Sequence, residues 1–260
     1  MIFLRLSLFL FCQSSEKWDV LTRKSGDGSI MKLVKLLIID EVHLLGEERG
    51  PVIEVLVART LRLVESSQQM CRIIGLSATL PNYQDVAVFL GVNLQTGCFY
   101  FDSSYRPVPL SQTFIAVNEH NQQKNKTLQN EIAFKKTIEV LKNGHQVMIF
   151  VHSRRETAVT ARMIREMARV EGKTPLFDCK ESKDFFTYES RMMRSKNSDL
   201  RELFTSGIAI HNAGMVRNDR SLVEAAFTAG AIKVLVCTAT LAWGVSHNQS
   251  SILRNVYSRF

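Results

Sequence analysis

Asp40, Glu41, Val42 and His43 are the residues in this chain whose types and spacing first suggest chemistry. They follow the apolar run Leu36-Leu37-Ile38-Ile39, which reads as a buried strand. In an open α/β sheet, ligands gather at the carboxyl ends of the strands. A carboxylate delivered there, Asp40, suits a hard divalent cation such as Mg2+, and its neighbour Glu41 can orient or deprotonate a water that attacks a terminal phosphate. That is the chemistry of nucleotide hydrolysis. A strand followed by an acidic turn fits the same eight residues equally well, because short motifs match by chance.

Four more segments bear on the choice. Ser77-Ala78-Thr79 closes a second apolar run, Arg72 to Leu76; taken alone, its hydroxyls do no more than satisfy a strand-to-helix turn. Arg106-Pro107-Val108-Pro109-Leu110 reads as an extended linker, His211-Asn212-Ala213-Gly214-Met215 as a turn, and Thr238 to Val245 as a loop with Trp243 packed inward. Each has an ordinary structural explanation. Their order along one alternating architecture is harder to dismiss.

The elements that must position these residues alternate between strand and helix, the mark of parallel βαβ units. Pro51 suits a first helical position and opens a pattern of Val52, Val55, Leu56, Ala58, Leu61 and Val64. A short helix to about Leu90 and a strand at Phe99 to Phe101 complete the first half. Pro107 and Pro109 interrupt regular structure, so a domain boundary falls near residues 105–112. Beyond it the pattern predicts a helix over about 127–141, a strand at Val147 to Val151 and a helix capped by Ser153 with Glu156 three residues on. That helix buries Ala158, Ala161, Ile164 and Ala168. Strands at Ile208 to His211 and Ile232 to Cys237 flank a helix from about 218 to 227. The fold class is α/β, in two doubly wound parallel-sheet halves, each incomplete.

At 260 residues the chain has room for one or two domains. Hydrophobic content of 45% with 22% charged residues excludes a wholly disordered chain. Net charge of +8 gives weak support to a polyanionic partner. Five widely spaced cysteines form no zinc-ribbon pair and fit a reducing intracellular compartment. Met1 to Cys12 is an apolar run interrupted only by Arg5 and Ser7, too short for a membrane span of ~20 residues. It has the size of a signal-peptide core, yet no charged segment precedes it and no small-residue cleavage site follows. A buried strand or an anomalous terminus is the reading adopted, and no membrane partner is expected.

Together these motifs resemble the superfamily-two DExH helicases of the Ski-two-like class, among them the double-cassette enzymes. The resemblance rests on Glu16-Lys17-Trp18-Asp19, Asp40-Glu41-Val42-His43-Leu44-Leu45, Gly75-Leu76-Ser77-Ala78-Thr79-Leu80-Pro81-Asn82, Arg106 to Leu110 and Cys237 to Val245, and spans about residues 16–245. It implies two RecA-like domains: residues 16–108 as the later part of the first and 109–245 as the early part of the second, between an atypical start (1–15) and tail (246–260). It implies ATP and Mg2+ as cofactors, with Asp40 holding the metal, Glu41 acting as base, and His43, Ser77 and Thr79 coupling nucleotide state to movement. Single-stranded RNA or DNA is the implied partner, touched by Lys17 in the first domain and by Ser153, Arg154, His211, Gly214, Thr238 and Thr240 in the second. Gly244 falls on the nucleotide side. A multi-subunit complex in the nucleus or cytoplasm is the implied setting.

Departures from the family pattern matter as much. No G-x-x-x-x-G-K-[ST] phosphate loop occurs in the sequence; Gly172-Lys173-Thr174 has Met167 at the first glycine position and runs into Pro175. The arginine-bearing sixth motif is also missing. Ser14-Ser15 stand where the family has Thr-Pro, and Ser246 onward departs again. The expectation is therefore a truncated part of an ATP-dependent helicase, inactive alone; the alternative is a non-catalytic nucleic-acid-binding or regulatory piece.

Overall fold

A computed structural model of the chain describes residues 2–6, 10–23, 32–106, 109–241 and 250–254, with side chains for 14–23, 32–106, 109–239 and 241. The chain divides into two compact units, Met1–Arg106 and Pro107–Phe260.

The first unit is built on the sheet order β2-β1-β3-β4, with β1 at Ile2–Leu6, β2 at Leu10–Gln13, β3 at Val34–Ile39 and β4 at Arg72–Gly75. Strands β3 and β4 run parallel, pairing Leu36 with Arg72 through Ile39 with Gly75, and helix α2, Gly50–Ser67, makes the crossover between them. Val34, Leu37 and Ile39 point into the core while Lys35 points out. The apolar amino-terminal run makes two strands rather than one, and β1 lies antiparallel to both β2 and β3. This sheet is therefore mixed where an all-parallel one is expected. Helix α1, Ser15–Arg23, lays Trp18 onto the same apolar cluster as Leu37, Ile53, Leu56 and Val57.

Three local expectations are corrected here. The buried stripe of α2 is Ile53, Leu56, Val57 and Thr60; Val55 is on the outer face and Ala58 is exposed. Both stripes fit a helical period, and the side on which the sheet lies decides between them. Strand β4 is shorter and wetter than a buried strand, since it sits at the sheet edge and Leu76 is exposed. Phe99, Tyr100 and Phe101 form no strand and are exposed; aromatic β-propensity is expressed only where a pleated surface offers packing.

The second unit has the order β6-β7-β5-β8, all parallel: β5 is Gln146–Phe150, β6 Ile208–His211, β7 Val234–Cys237 and β8 Ser250–Arg254. Strands β6 and β7 are buried throughout, as continuous apolar runs in a sheet covered on both faces should be. After the short helix α3 of the first unit, Tyr83–Phe89, the helices here are α4 (Gln122–Lys142), α5 (Arg154–Val170), α6 (Phe185–Met192), α7 (Ser198–Phe204) and α8 (Arg217–Thr228). Helix α4 begins five residues before its apolar pattern does, because Asn121 caps it, its Oδ1 accepting from the Gln123 and Lys124 amides at 3.0 and 3.2 Å. Strand β7 starts two residues late, and the Ile232 carbonyl accepts instead from Gln146 Nε2, 2.6 Å away. Of the four alanine and isoleucine positions read as buried on α5, Ala158 is only partly so. Gly172-Lys173-Thr174 follows α5 and enters a 3-10 turn, Thr174–Phe177, and opens no phosphate-binding helix.

Candidate functional site

In the first unit, parallel pairing continues past the ends of β3 and β4. Leu76 N–H donates to the Ile39 carbonyl at 2.8 Å, and Val42 N–H donates to the Leu76 carbonyl at 2.9 Å. The acidic turn and the Ser77–Thr79 segment are thereby neighbours on one carboxyl rim. Gly75 permits this closure: a Cβ there would lie 2.5 Å from Leu90 Cδ1.

Asp40 Oδ1 accepts from the Glu41 amide at 3.1 Å. Glu41 itself is left-handed, φ 59° and ψ 44°, a region that costs a non-glycine residue of order 1–3 kcal/mol. The strain is held by Val42 and Leu44, both buried in the following 3-10 turn, and by the Val42 bond to Leu76. It aims both carboxylates away from the core, half-buried. His43 Nδ1 accepts from the Ala78 amide at 3.2 Å and lies 3.3 Å from Glu41 Oε2. Ser77 donates its hydroxyl to the Ala78 carbonyl at 2.7 Å, while Ser77 and Thr79 are exposed. One imidazole thus touches both the base candidate and the second loop. Asp40 fits a hard cation, since its carboxylate is fixed through one oxygen by a main-chain donor and is not committed to an ion pair among the described residues.

Lys17 is exposed on α1, and the two residues after it are not. Trp18 is in the core, and Asp19, 4% exposed, accepts from Arg59 Nη1 at 2.8 Å and also pairs with Arg23. Arg59 Nη1 also reaches Thr22 Oγ1 at 2.9 Å. Burial alone would raise the Asp19 carboxyl, but the hydrogen bonds from Arg23 and Arg59 outweigh it and hold it below the ordinary value of 3.8. Sequence reasoning missed this anchor, because forty residues separate Asp19 from Arg59 and no periodicity links them.

In the second unit, the ends of β5, β6 and β7 bring Ser153, Arg154, His211, Gly214 and Thr238 to one rim. Ser153 caps α5, its Oγ accepting from the Glu156 amide at 3.2 Å. Glu156 turns to Lys126 Nζ, 2.6 Å away. Arg154 is exposed, with its Cδ against Gly214, where a Cβ would sit 3.2 Å from it. The His211 ring is placed inward, 2% exposed, with Nε2 on Glu224 at 2.8 Å. Burial pulls its pKa below 6.5, although Glu224 pushes it up, so near neutral pH the ring carries no full charge. This differs from the outward contact that the resemblance implies: at the rim His211 offers its carbonyl, which accepts from Thr238 N–H at 3.1 Å. Thr238 is likewise 9% exposed. Thr240 lies in a 3-10 turn, Ala239–Leu241, and its side chain, like Gly244 and all of 242–249, lies outside the described residues, as do Pro107 and Val108.

Comparison with known proteins finds helicases among those that this chain resembles. Residues 9–86 match the DEAD/DEAH box helicase family. The DExH-box ATP-dependent RNA helicase DExH14 of Arabidopsis thaliana is 58% identical over 231 residues, covering 89% of this chain and 11% of that protein. Activating signal cointegrator 1 complex subunit 3 of Homo sapiens is 54% identical over 232 residues, 89% of this chain and 10% of that protein. The RQC trigger complex helicase SLH1 of Saccharomyces cerevisiae is 53% identical over 233 residues, with 89% and 12% covered. The chain spans about a tenth of the length of these relatives. With its acidic turn and its Ser-Ala-Thr loop on one carboxyl rim, the chain is similar over residues 9–86 to the DEAD/DEAH box helicase family and over 89% of its length to proteins named as a DExH-box ATP-dependent RNA helicase and an RQC trigger complex helicase.

Proposed function

We propose that these residues are the working middle of an ATP-dependent RNA helicase: Asp40 holds Mg2+ on the nucleotide phosphates, and Glu41 takes the proton of the attacking water. His43 relays the state of that site to the Ser77–Thr79 loop. Lys17 in the first unit, and separately Ser153, Arg154 and the Gly214 loop in the second, contact phosphates of single-stranded nucleic acid. Phosphate contacts of this kind fix the strand's position without reading its sequence. RNA is favoured as substrate because DExH14 is named as an RNA helicase, and a larger complex because two relatives are named as members of one. The carrying observation is the His43 contact to the Ala78 amide at 3.2 Å with Glu41 at 3.3 Å from the same nitrogen. A non-catalytic binding piece is the less favoured reading, since two of the relatives, DExH14 and SLH1, are named as helicases.

A magnesium ion bound there would supply positive charge to the phosphates, and Asp40 would hold it. This chain contributes the carboxylate that orients the ion and the base beside it. Since the 260 residues contain no phosphate loop, the isolated chain is expected to bind strands without turnover. The test of the motor reading is a chimaera in which residues 16–245 replace the matched segment of DExH14. RNA-stimulated ATP hydrolysis is expected, lost by Glu41→Gln. A folded chimaera whose turnover ignores Glu41→Gln would refute the assignment.

A further inference from the structure

Asn212 is buried, 7% exposed, between two segments of the second unit's rim. Its side-chain amide is used at both ends. Oδ1 accepts from the Gly214 amide at 3.0 Å, and Nδ2 donates to Thr157 Oγ1 at 3.0 Å. Thr157, fully buried, passes the chain of bonds on: its hydroxyl donates to the Arg154 carbonyl at 2.6 Å. The loop after β6 and the first turn of α5 are therefore tied together by one side chain, within reach of the exposed Arg154. The fit is close on the other side too. A Cβ on Gly214 would meet Asn212 Oδ1 at 3.1 Å and Arg154 Cδ at 3.2 Å.

We propose that Asn212 is a positioning residue for single-strand binding, acting through Thr157 and the Gly214 loop to set where Arg154 presents its guanidinium to a phosphate. It touches no phosphate itself. The inference rests on the reading of this rim as a nucleic-acid surface. Its chemical logic is satisfaction of a complete donor–acceptor chain: an amide has both a donor and an acceptor end, so only a side-chain amide can serve the Gly214 N–H and the Thr157 oxygen at once while the Thr157 proton stays on the Arg154 carbonyl. Aspartate has the acceptor and lacks the donor; alanine lacks both.

The experiment measures binding of a short fluorescent uridine oligomer by the 260-residue chain across a salt series, for wild type, Arg154→Ala, Asn212→Ala and the double variant. Each lost phosphate contact on a single strand lowers the slope of log K against log salt by about 0.7. Arg154→Ala and Asn212→Ala are each expected to show about that loss, and the double variant no more than Arg154→Ala alone, because residues acting through one another are not additive. Thr157→Val should copy Asn212→Ala and Thr157→Ser should restore wild-type binding. Should Asn212→Ala fail to fold, Thr157→Val, nearly isosteric, carries the same outcomes. Binding that falls with Arg154→Ala but is untouched by Asn212→Ala overturns the inference and leaves the functional reading standing. Full additivity in the double variant overturns it too. Absence of wild-type binding at low salt defeats the functional reading, and this inference with it.

Discussion

Replacing Asp19 by alanine should detach the helix that carries Lys17. Asp19 is 4% exposed and joins α1 to α2 through the 2.8 Å bond from Arg59. Removing one partner of a fully buried pair costs about 3–5 kcal/mol, but here the guanidiniums can reach water, with the Arg59 side chain 29% exposed and that of Arg23 62%. The Arg59 bond therefore contributes nearer ~2 kcal/mol, the range for hydrogen bonds to charged groups, and the Arg23 pair at i,i+4 only about 0.3–0.5 kcal/mol. Asp19→Ala should cost about 2 kcal/mol in all, which for a domain of this size lowers the melting temperature by roughly 10 °C. Asp19→Asn, which keeps an acceptor for Arg59, should lose about half as much. The sign with pH follows from the lowered carboxyl. Its stabilisation is complete above the ordinary aspartate value of 3.8 and is lost as pH falls through the lower native value. The gap between wild type and Asp19→Ala, followed by circular dichroism melts, should thus hold from neutral to mildly acidic pH and close only below that value. Equal melting of the two proteins at neutral pH, or a gap that persists in strong acid, would refute the argument.

Gly207 is left-handed at φ +67°, and a Cβ would lie 1.9 Å from the Phe177 carbonyl oxygen; Gly207→Ala should cost more than about 3 kcal/mol in denaturant unfolding. At Gly75 the obstacle is the tip of the Leu90 side chain, which can move, so Gly75→Ala should cost only about 1 kcal/mol. Burial pushes the Cys179 thiol up to about 11 and the Cys237 thiol to about 12. Both should resist iodoacetamide at mildly alkaline pH until the chain is unfolded, with labelling read by mass spectrometry.

Where a residue's role depends on its neighbours in sequence, the sequence made it legible. Ile208 to His211 is a run of apolar residues closed by turn residues, and the strand observed there has those same bounds. Ser153 three residues before Glu156 signalled a cap, and the cap is made. Roles set by long-range contact were not readable. Nothing near Asp19 announces Arg59, and nothing near Asn212 announces Thr157, fifty-five residues away. His211 shows the converse: the family resemblance implies a nucleic-acid contact there, yet Glu224, thirteen residues on, holds the ring in the interior. The face of α2 is set by the same kind of long-range contact. Of its expected apolar pattern Leu56 is buried and Val52 and Leu61 pack against the core, while the position of the sheet leaves Val55 and Ala58 exposed and buries Ile53 and Val57 instead.

The His43 ring brings the two loops of the first unit into competition for a single nitrogen. In a neutral imidazole one nitrogen donates and the other accepts. If Nδ1 keeps its lone pair, it takes the Ala78 amide at 3.2 Å and faces the lone pairs of Glu41 Oε2 at 3.3 Å without a proton between them. If Nδ1 carries a proton, it satisfies Glu41 and turns a donor toward the Ala78 amide, which is also a donor. One ring cannot serve both partners in one protonation state. In the proposed function, a Glu41 that had taken a proton from water could itself donate its hydroxyl to Nδ1, displacing the Ala78 amide without any change on the ring. On that proposal, a proton moved to Glu41 would be felt at Ala78, between Ser77 and Thr79, as the loss of a hydrogen bond worth about 1 kcal/mol. That is enough to shift a two-state loop severalfold, and the left-handed backbone at Glu41, φ 59°, is what brings the carboxylate near enough for the competition to occur.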